Sequence, residues 1–131
     1  DIGKKSLEKI NTQNNINIQD LKKKEKILKD LEIEIASKKN IISKEAFDKE
    51  VIIFRKNIDQ FKIEQQQIIK DFNDYKKKEI DKVFQTISPI INSYMEQKSV
   101  KILFDAKNIF MARNDLNLTN DILEAINKEA K

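Results

Sequence analysis

The side chains able to support catalysis or metal binding are limited in this sequence to carboxylates and amines. The chain has no histidine and no cysteine, which excludes a Ser-His-Asp or Cys-His nucleophile, an imidazole or thiolate zinc site and a disulfide. With a single glycine, Gly3, it also lacks a glycine-rich loop that could bind phosphate. The acidic residues are scattered beside lysines, as on the wet surface of a coiled coil. We therefore expect no enzymatic activity, no metal site and no cofactor.

Basic side chains are concentrated between Ser37 and Lys56, where six of them accompany three acidic ones in a chain of net charge +4. Such a local excess attracts anions. The candidate anion-attracting residues are Lys38, Lys39, Lys44, Arg55 and Lys56. The alternative is that these charges only keep the chain in solution. Two further clusters, Lys22–Lys24 and Lys76–Lys78, are expected to lie near one another if the chain pairs with itself in antiparallel fashion.

Two stretches carry apolar residues at the seven-residue spacing of a coiled coil. The second stretch contains a phenylalanine ladder of Phe47, Phe54 and Phe61. Apolar residues that repeat about every 3.5 positions form one narrow stripe on an α-helix, which must be buried against another helix. The predicted core residues are Leu21, Leu28, Leu31 and Ile35 in the first stretch and Phe47, Val51, Phe54, Ile58, Phe61, Ile68 and Phe72 in the second. The two stripes predict a long antiparallel helical hairpin.

The hairpin is expected to turn near residues 38–45. Ser43 is predicted to cap the second helix, and Glu45 lies in its first turn, where a negative charge suits the helix dipole. The first stripe begins at Leu7, but polar residues such as Asn17 and Lys24 interrupt it. We expect the helices to pair less firmly there.

Seven isoleucines of the two stretches lie off the apolar stripes. They are Ile27, Ile33 and Ile41 in the first stretch and Ile52, Ile53, Ile63 and Ile69 in the second. On a simple two-helix hairpin these side chains are at least partly exposed, which makes them candidates for contact with an unfolded protein. The alternatives are that the stripes are simply wide, or that a third helix or another subunit covers these positions.

The second half of the chain changes character after residue 86. Pro89 is expected to kink the helix or to start a new segment capped by Ser88. Two short apolar runs predict a β-hairpin over residues 100–112, and a last helix is predicted over 120–127 with Thr119 as its N-cap. The predicted fold is mostly α with a small β element, divided into a hairpin of residues 1–86 and a segment of residues 87–131.

Short runs in both halves resemble the Skp (OmpH) family of periplasmic chaperones. Ile42-Ser43-Lys44-Glu45-Ala46-Phe47 is similar to the Leu-Ser-x-Glu start of that family's returning helix, and Gly3-Lys4-Lys5 to the opening of its outgoing helix. The C-terminal signature of the family is similar to Ile87-Ser88-Pro89-Ile90-Ile91, Val100-Lys101-Ile102-Leu103-Phe104-Asp105 and Leu116-Asn117-Leu118-Thr119-Asn120-Asp121-Ile122-Leu123. The runs occur in the same order as in the family, and the resemblance extends over essentially the whole chain.

The resemblance implies a homotrimer in which three helical hairpins project as coiled-coil prongs from a small α+β trimerisation body. It implies that Val100, Ile102, Phe104, Ile109 and Phe110 belong to that body. It also implies an ATP-independent holdase that shields unfolded outer-membrane proteins between its prongs in the periplasm. The family has an apolar strand before the outgoing helix, and the given sequence begins after its expected place, so the trimer is expected when that strand is present.

The basic tip is expected to add long-range attraction to negatively charged clients, to lipopolysaccharide or to anionic lipid head groups. Two other functions stay open. A scaffold coiled coil shares the hairpin but gives no reason for the β-hairpin and the last helix. A nucleic-acid-binding protein would use the basic clusters, but no stacking aromatics accompany them, so no nucleic acid is expected. No apolar run approaches the about 18 residues that span a membrane, and no signal peptide opens the chain, so we expect a soluble chain with any targeting segment upstream.

Overall fold

A computed structural model describes residues 2–129 of the chain, and it is dominated by three α-helices. Helix α1 comprises Ile2–Lys38, α2 comprises Lys44–Gln97 and α3 comprises Thr119–Glu129. Two single turns of 3-10 helix, Ala106–Asn108 and Asn114–Leu116, lie between α2 and α3. The predicted mostly α fold is confirmed.

The chain forms two compact units. We call Lys9–Lys76 the hairpin unit, and Asp1–Glu8 together with Lys77–Lys131 the terminal unit, of which residues 2–8 and 77–129 are described. Residues 86 and 87, where the sequence suggested a division, are both inside α2 and inside the terminal unit.

The hairpin unit is antiparallel, as the two ion pairs between its helices show. Lys24 of α1 pairs with Glu64 of α2, and Lys38 of α1 pairs with Glu50 of α2. Fourteen residues forward along α1, from Lys24 to Lys38, therefore correspond to fourteen residues backward along α2, from Glu64 to Glu50. This constant correspondence over two heptads is what two matched stripes require.

The predicted core residues lie at the half-buried positions of the hairpin unit. These are Leu21, Leu28, Leu31 and Ile35 on α1 and Phe47, Val51, Phe54, Ile58, Phe61, Ile68 and Phe72 on α2. No hydrophobic side chain of residues 2–129 is fully buried. Two helices alone leave both flanks of the stripe in contact with water, so each core side chain keeps part of its surface wet.

The tip of the hairpin follows the sequence prediction. Helix α1 ends at Lys38, and the Ser43 hydroxyl accepts a hydrogen bond from the Ala46 backbone N–H at 3.3 Å. This bond satisfies one of the unpaired donors at the start of α2, so Ser43 is the N-cap. Glu45 lies in the first turn of α2, as predicted, and pairs with Lys49 at 2.9 Å.

Pro89 does not end α2, which continues to Gln97. The predicted capping role of Ser88 is wrong, because its hydroxyl donates to the Phe84 carbonyl one turn earlier, at 2.6 Å. The helix instead ends where Ser99 adopts a left-handed conformation, with φ of 56°. There the Val100 backbone N–H donates to the Met95 carbonyl at 2.8 Å, the closing hydrogen bond of a Schellman motif.

The β-hairpin expected over residues 100–112 is absent, and no strand occurs within residues 2–129. The backbone hydrogen bonds formed within this segment are local, such as that from the Asn108 N–H to the Asp105 carbonyl. The Asp105 carboxylate also accepts from the Lys107 N–H at 3.0 Å, which folds the chain into a turn. β-Branched residues favour a strand only when a neighbouring strand pairs with them, and this segment has none in the described chain.

Helix α3 starts one residue before its predicted start, and the side-chain acceptor at this start is Asn117, two residues before the predicted cap. Thr119 is the first helical residue, and the Asn117 side chain accepts a hydrogen bond from the Thr119 N–H at 3.1 Å. Thr119 is therefore not the N-cap. Asp121 lies in the first turn, as predicted, and accepts a hydrogen bond from the Tyr94 hydroxyl of α2 at 3.2 Å. This bond and burial of the phenol raise the pKa of Tyr94, burial being the larger cause.

A buried carboxylate lies in the terminal unit. Glu79 of α2 is the one fully buried residue in the described part of the chain. Ser6 of α1 donates to the Glu79 carboxylate at 3.4 Å, and Lys82 pairs with the same carboxylate. Leu7, the expected start of the first stripe, is instead 56% exposed. A straight α-helix advances about 3.6 residues per turn, so a strict heptad drifts off the contact line, and here Ser6 replaces Leu7 on that line.

Truncation of the phenylalanine ladder tests how far the half-buried stripe stabilises the hairpin unit. We expect Phe61→Ala to lower the free energy of unfolding by about 2 kcal/mol, less than the roughly 3 to 5 kcal/mol of a fully buried phenylalanine. Urea unfolding followed by circular dichroism measures this change. The control is Ile63→Ala on the same helix, whose side chain is 61% exposed and whose loss should cost less than about 0.5 kcal/mol. Equal losses for the two variants would contradict the stripe.

Candidate functional site

The seven isoleucines that the sequence places off the stripes are all exposed on the hairpin unit, as are Ile16 and Ile18. The exposed fractions of the seven range from 54% for Ile52 to 78% for Ile41. The others of the seven are Ile27, Ile33, Ile53, Ile63 and Ile69. A hairpin of two helices has no third layer to cover them. These branched side chains therefore stay exposed to water. Their proposed role in client binding stays a prediction.

The basic tip contains two kinds of lysine. Lys38 is half-buried and lies between two carboxylates, with its amine 2.8 Å from Glu34 and 3.2 Å from Glu50. Hydrogen bonds to Glu34, first, and to Glu50 raise the pKa of Lys38 above its usual 10.5. Lys38 is thus a link between the helices and offers no free charge to an anion.

The other four residues that were predicted to attract anions at the tip are exposed to solvent. Lys39, Lys44, Arg55 and Lys56 make no ion pair with any other residue of the described chain. The predicted attraction of anions to the tip therefore depends on these four side chains rather than on Lys38.

A shallow groove of about 210 Å³ opens between α1 and α2 beside Lys38. Its floor is apolar and is formed by Leu31, Ile35, Ile53 and Phe54. Its rim is polar and is formed by Glu34, Lys38, Glu50 and Asn57. The groove joins two predicted core residues of α1 and one of α2, Phe54, to one of the exposed isoleucines, Ile53.

The sequence prediction missed the rim carboxylates of this groove. The signal that could have found them is Lys38 itself, which interrupts the stripe at a position where an apolar residue is expected. A lysine in a coiled-coil seam extends its amine to the edge of the contact, where a carboxylate of the other helix can meet it. Glu50 is that carboxylate.

A second lysine of the stripe, Lys24, has the same arrangement. Its amine lies 2.5 Å from the Glu64 carboxylate, which also accepts a hydrogen bond from Gln60 at 3.3 Å. Lys24 therefore ties the two helices where the sequence predicted looser pairing. The predicted proximity of the two basic clusters is not found for Lys76, the member of the second cluster that lies in the hairpin unit. Lys24 pairs with Glu64, which is twelve residues before Lys76 and roughly 18 Å from it along the helix.

The described residues contain no group of histidine, cysteine, aspartate or glutamate side chains placed to hold a metal ion. Within the same residues, no helix is long and apolar enough to cross a membrane. No protein-family model, curated protein or solved structure matches this chain.

The Lys24–Glu64 pair makes the hairpin unit sensitive to acid. Hydrogen bonds from Lys24, the larger cause, and from Gln60 hold the pKa of Glu64 below its usual 4.5. A carboxyl group with a lowered pKa stabilises the fold above pH 4.5, and this contribution is lost as the pH falls through the lowered value. We expect the melting temperature of the wild type to exceed that of Glu64→Gln at pH 7, and the difference to shrink below pH 4.5.

Thermal melting at a series of pH values measures this difference. The control is Glu25→Gln, which removes a carboxylate that has no ion pair within the described residues. Its difference from the wild type should change less between neutral and acidic pH. A pH-independent difference for Glu64→Gln would show that the ion pair does not stabilise the hairpin.

Proposed function

We propose that this chain is an ATP-independent holdase chaperone that shields unfolded outer-membrane β-barrel proteins in the periplasm between coiled-coil prongs. The observation that carries the proposal is the row of seven exposed isoleucines on a helical hairpin whose own stripe is already filled by other residues. The resemblance of the short motifs to the Skp family supports the same function.

The distribution of these isoleucines suits the holding of a disordered client. They are spread along both helices, from Ile27 to Ile69, rather than collected in one deep pocket. Each contact buries little area and is therefore weak, and many weak contacts hold an unfolded chain without trapping it. Adaptable surfaces of this kind bind many partners because they make no demand on one exact shape.

The β element of the proposed body requires a partner strand from outside the described residues, such as one from another copy of the chain. Residues 100–104 have no strand to pair with in the described chain, and Phe110 is 99% exposed while Met111 is 82% exposed. We propose that this segment pairs with other copies in a homotrimer, where Val100, Ile102, Phe104, Ile109 and Phe110 form the body. Pairing would bury these side chains and satisfy their backbone groups.

The exposed basic residues of the tip support a role in attracting the client. Lys39, Lys44, Arg55 and Lys56 are proposed to draw in negatively charged clients, lipopolysaccharide or anionic lipid head groups. Surface charges act over a Debye length of about 8 to 10 Å, so this attraction speeds encounter more than it strengthens the final complex.

Replacement of four isoleucines of α2 tests the proposed holding function. We expect Ile52, Ile53, Ile63 and Ile69 changed together to serine to weaken suppression of client aggregation several-fold, because the client loses its apolar contacts. Light scattering of an unfolded β-barrel protein diluted from urea measures suppression. Circular dichroism checks that the helices persist, as expected because serine and isoleucine have similar helix propensities.

The matched control replaces Gln65, Gln66 and Asn73, three exposed polar residues of the same helix, with serine. It costs at least as much in helix propensity but removes no exposed apolar side chain. Unchanged suppression by the isoleucine variant, or equal loss in the control, would refute the proposed role of the isoleucines.

Replacement of tip lysines tests the proposed attraction. We expect Lys39→Gln with Lys44→Gln to slow association with an acidic unfolded protein about two- to fivefold at low salt, and the effect to fade at high salt. Stopped-flow fluorescence measures the association rate. The control, Lys26→Gln with Lys29→Gln, lowers the net charge equally at a site outside the tip. Equal slowing by both variants would mean that net charge, not the tip, controls encounter.

A further inference from the structure

We propose that the groove beside Lys38 binds one phenylalanine side chain of an extended client segment that has an arginine or lysine next to that phenylalanine. The inference rests on the proposed holdase function and adds a preferred client sequence to it. It is carried by the volume of the groove, by its apolar floor and by the charge of its rim.

The volume of the groove fits one aromatic ring. An apolar protein cavity of about 150 Å³ is large enough to bind benzene. The groove measures about 210 Å³ and is open to solvent on one side, so a ring can enter it without movement of the helices. Its floor of Leu31, Ile35, Ile53 and Phe54 offers contact to the ring face and edge.

The rim of the groove carries a net charge of −1. Glu34 and Glu50 contribute two carboxylates, and Lys38, which lies between them, contributes one amine. The side chain of Glu34 is 57% exposed and that of Glu50 is 35% exposed, so each retains carboxylate surface that a second cation can reach. A basic residue beside the inserted phenylalanine complements this rim, whereas an acidic residue is repelled by it.

The groove and the tip around it therefore favour clients by different properties. The exposed tip lysines attract a client of negative net charge over a distance, and the groove then selects a local segment that combines an aromatic and a basic residue. A client can satisfy both conditions because net charge and local sequence are independent properties of a chain. This arrangement favours certain segments of an otherwise unordered client.

Two adjacent isoleucines provide a matched test. Ile53 lines the groove and is 59% exposed, whereas Ile52 is 54% exposed and does not line it. The probes are three fluorescein-labelled decapeptides that are identical except at the centre, with Arg-Phe-Arg, Glu-Phe-Glu or Arg-Ser-Arg. We expect Ile53→Ser to weaken binding of the Arg-Phe-Arg peptide about three- to tenfold, and Ile52→Ser, which removes a client contact outside the groove, to weaken it by less than about twofold.

The charge of the rim is tested with a second matched pair on α1. Glu34→Gln removes a rim carboxylate, while Glu32→Gln removes an exposed carboxylate that does not line the groove. We expect only Glu34→Gln to reduce the preference for Arg-Phe-Arg over Glu-Phe-Glu. Fluorescence anisotropy measures all affinities, and circular dichroism confirms that each variant is helical.

The outcomes separate this inference from the proposed function. If the wild-type protein suppresses client aggregation but binds the three peptides equally, the proposed specificity of the groove is refuted and the holdase function is not. The same conclusion follows if Ile52→Ser and Ile53→Ser weaken peptide binding by the same factor. A wild-type protein that shows the expected peptide preference but does not suppress aggregation overturns the holdase and leaves a peptide-binding groove.

Discussion

The contact between one apolar stripe on α1 and one on α2 is the interaction on which the hairpin unit depends. Two helices have only one line along which each can bury apolar side chains against the other, so every core residue must lie on that line. The half-buried state of the phenylalanine ladder follows from this geometry. The exposure of the isoleucines follows from the same geometry, because no third helix of the hairpin unit covers side chains that lie outside the contact between α1 and α2.

The parts of the fold that the sequence predicts correctly are those determined by neighbours in the chain. Seven-residue spacing determines which face of a helix is apolar, so the hairpin and its core residues could be predicted. The Ser43 cap could be predicted because its acceptor and donor are three residues apart. The cap of α3 was misplaced by two residues because Asn117 and Thr119 both have the right chemistry, and only geometry decides between them.

Features that depend on a distant or absent partner could not be predicted in the same way. Val100–Phe104 has strand-forming residues, but strand formation requires hydrogen bonds to a second strand, which the described chain does not supply. The groove depends on which residues of α1 face which residues of α2. The spacing of residues within one helix does not show which residues of the other helix lie opposite. Leu31 and Phe54 could therefore be predicted as core residues, but Glu34 and Asn57 could not be predicted as rim residues of the groove.

The ion pair of Lys38 has a consequence for how the helices align. The phenylalanine ladder repeats itself every seven residues, so sliding α2 by one heptad would place aromatic residues where aromatic residues were before. The ladder alone therefore tolerates several alignments. A slide in either direction would give Lys38 a neutral partner, Asn57 or Ser43, in place of Glu50. Lys38, which interrupts the apolar stripe, thus favours the observed alignment over the two that lie one heptad away.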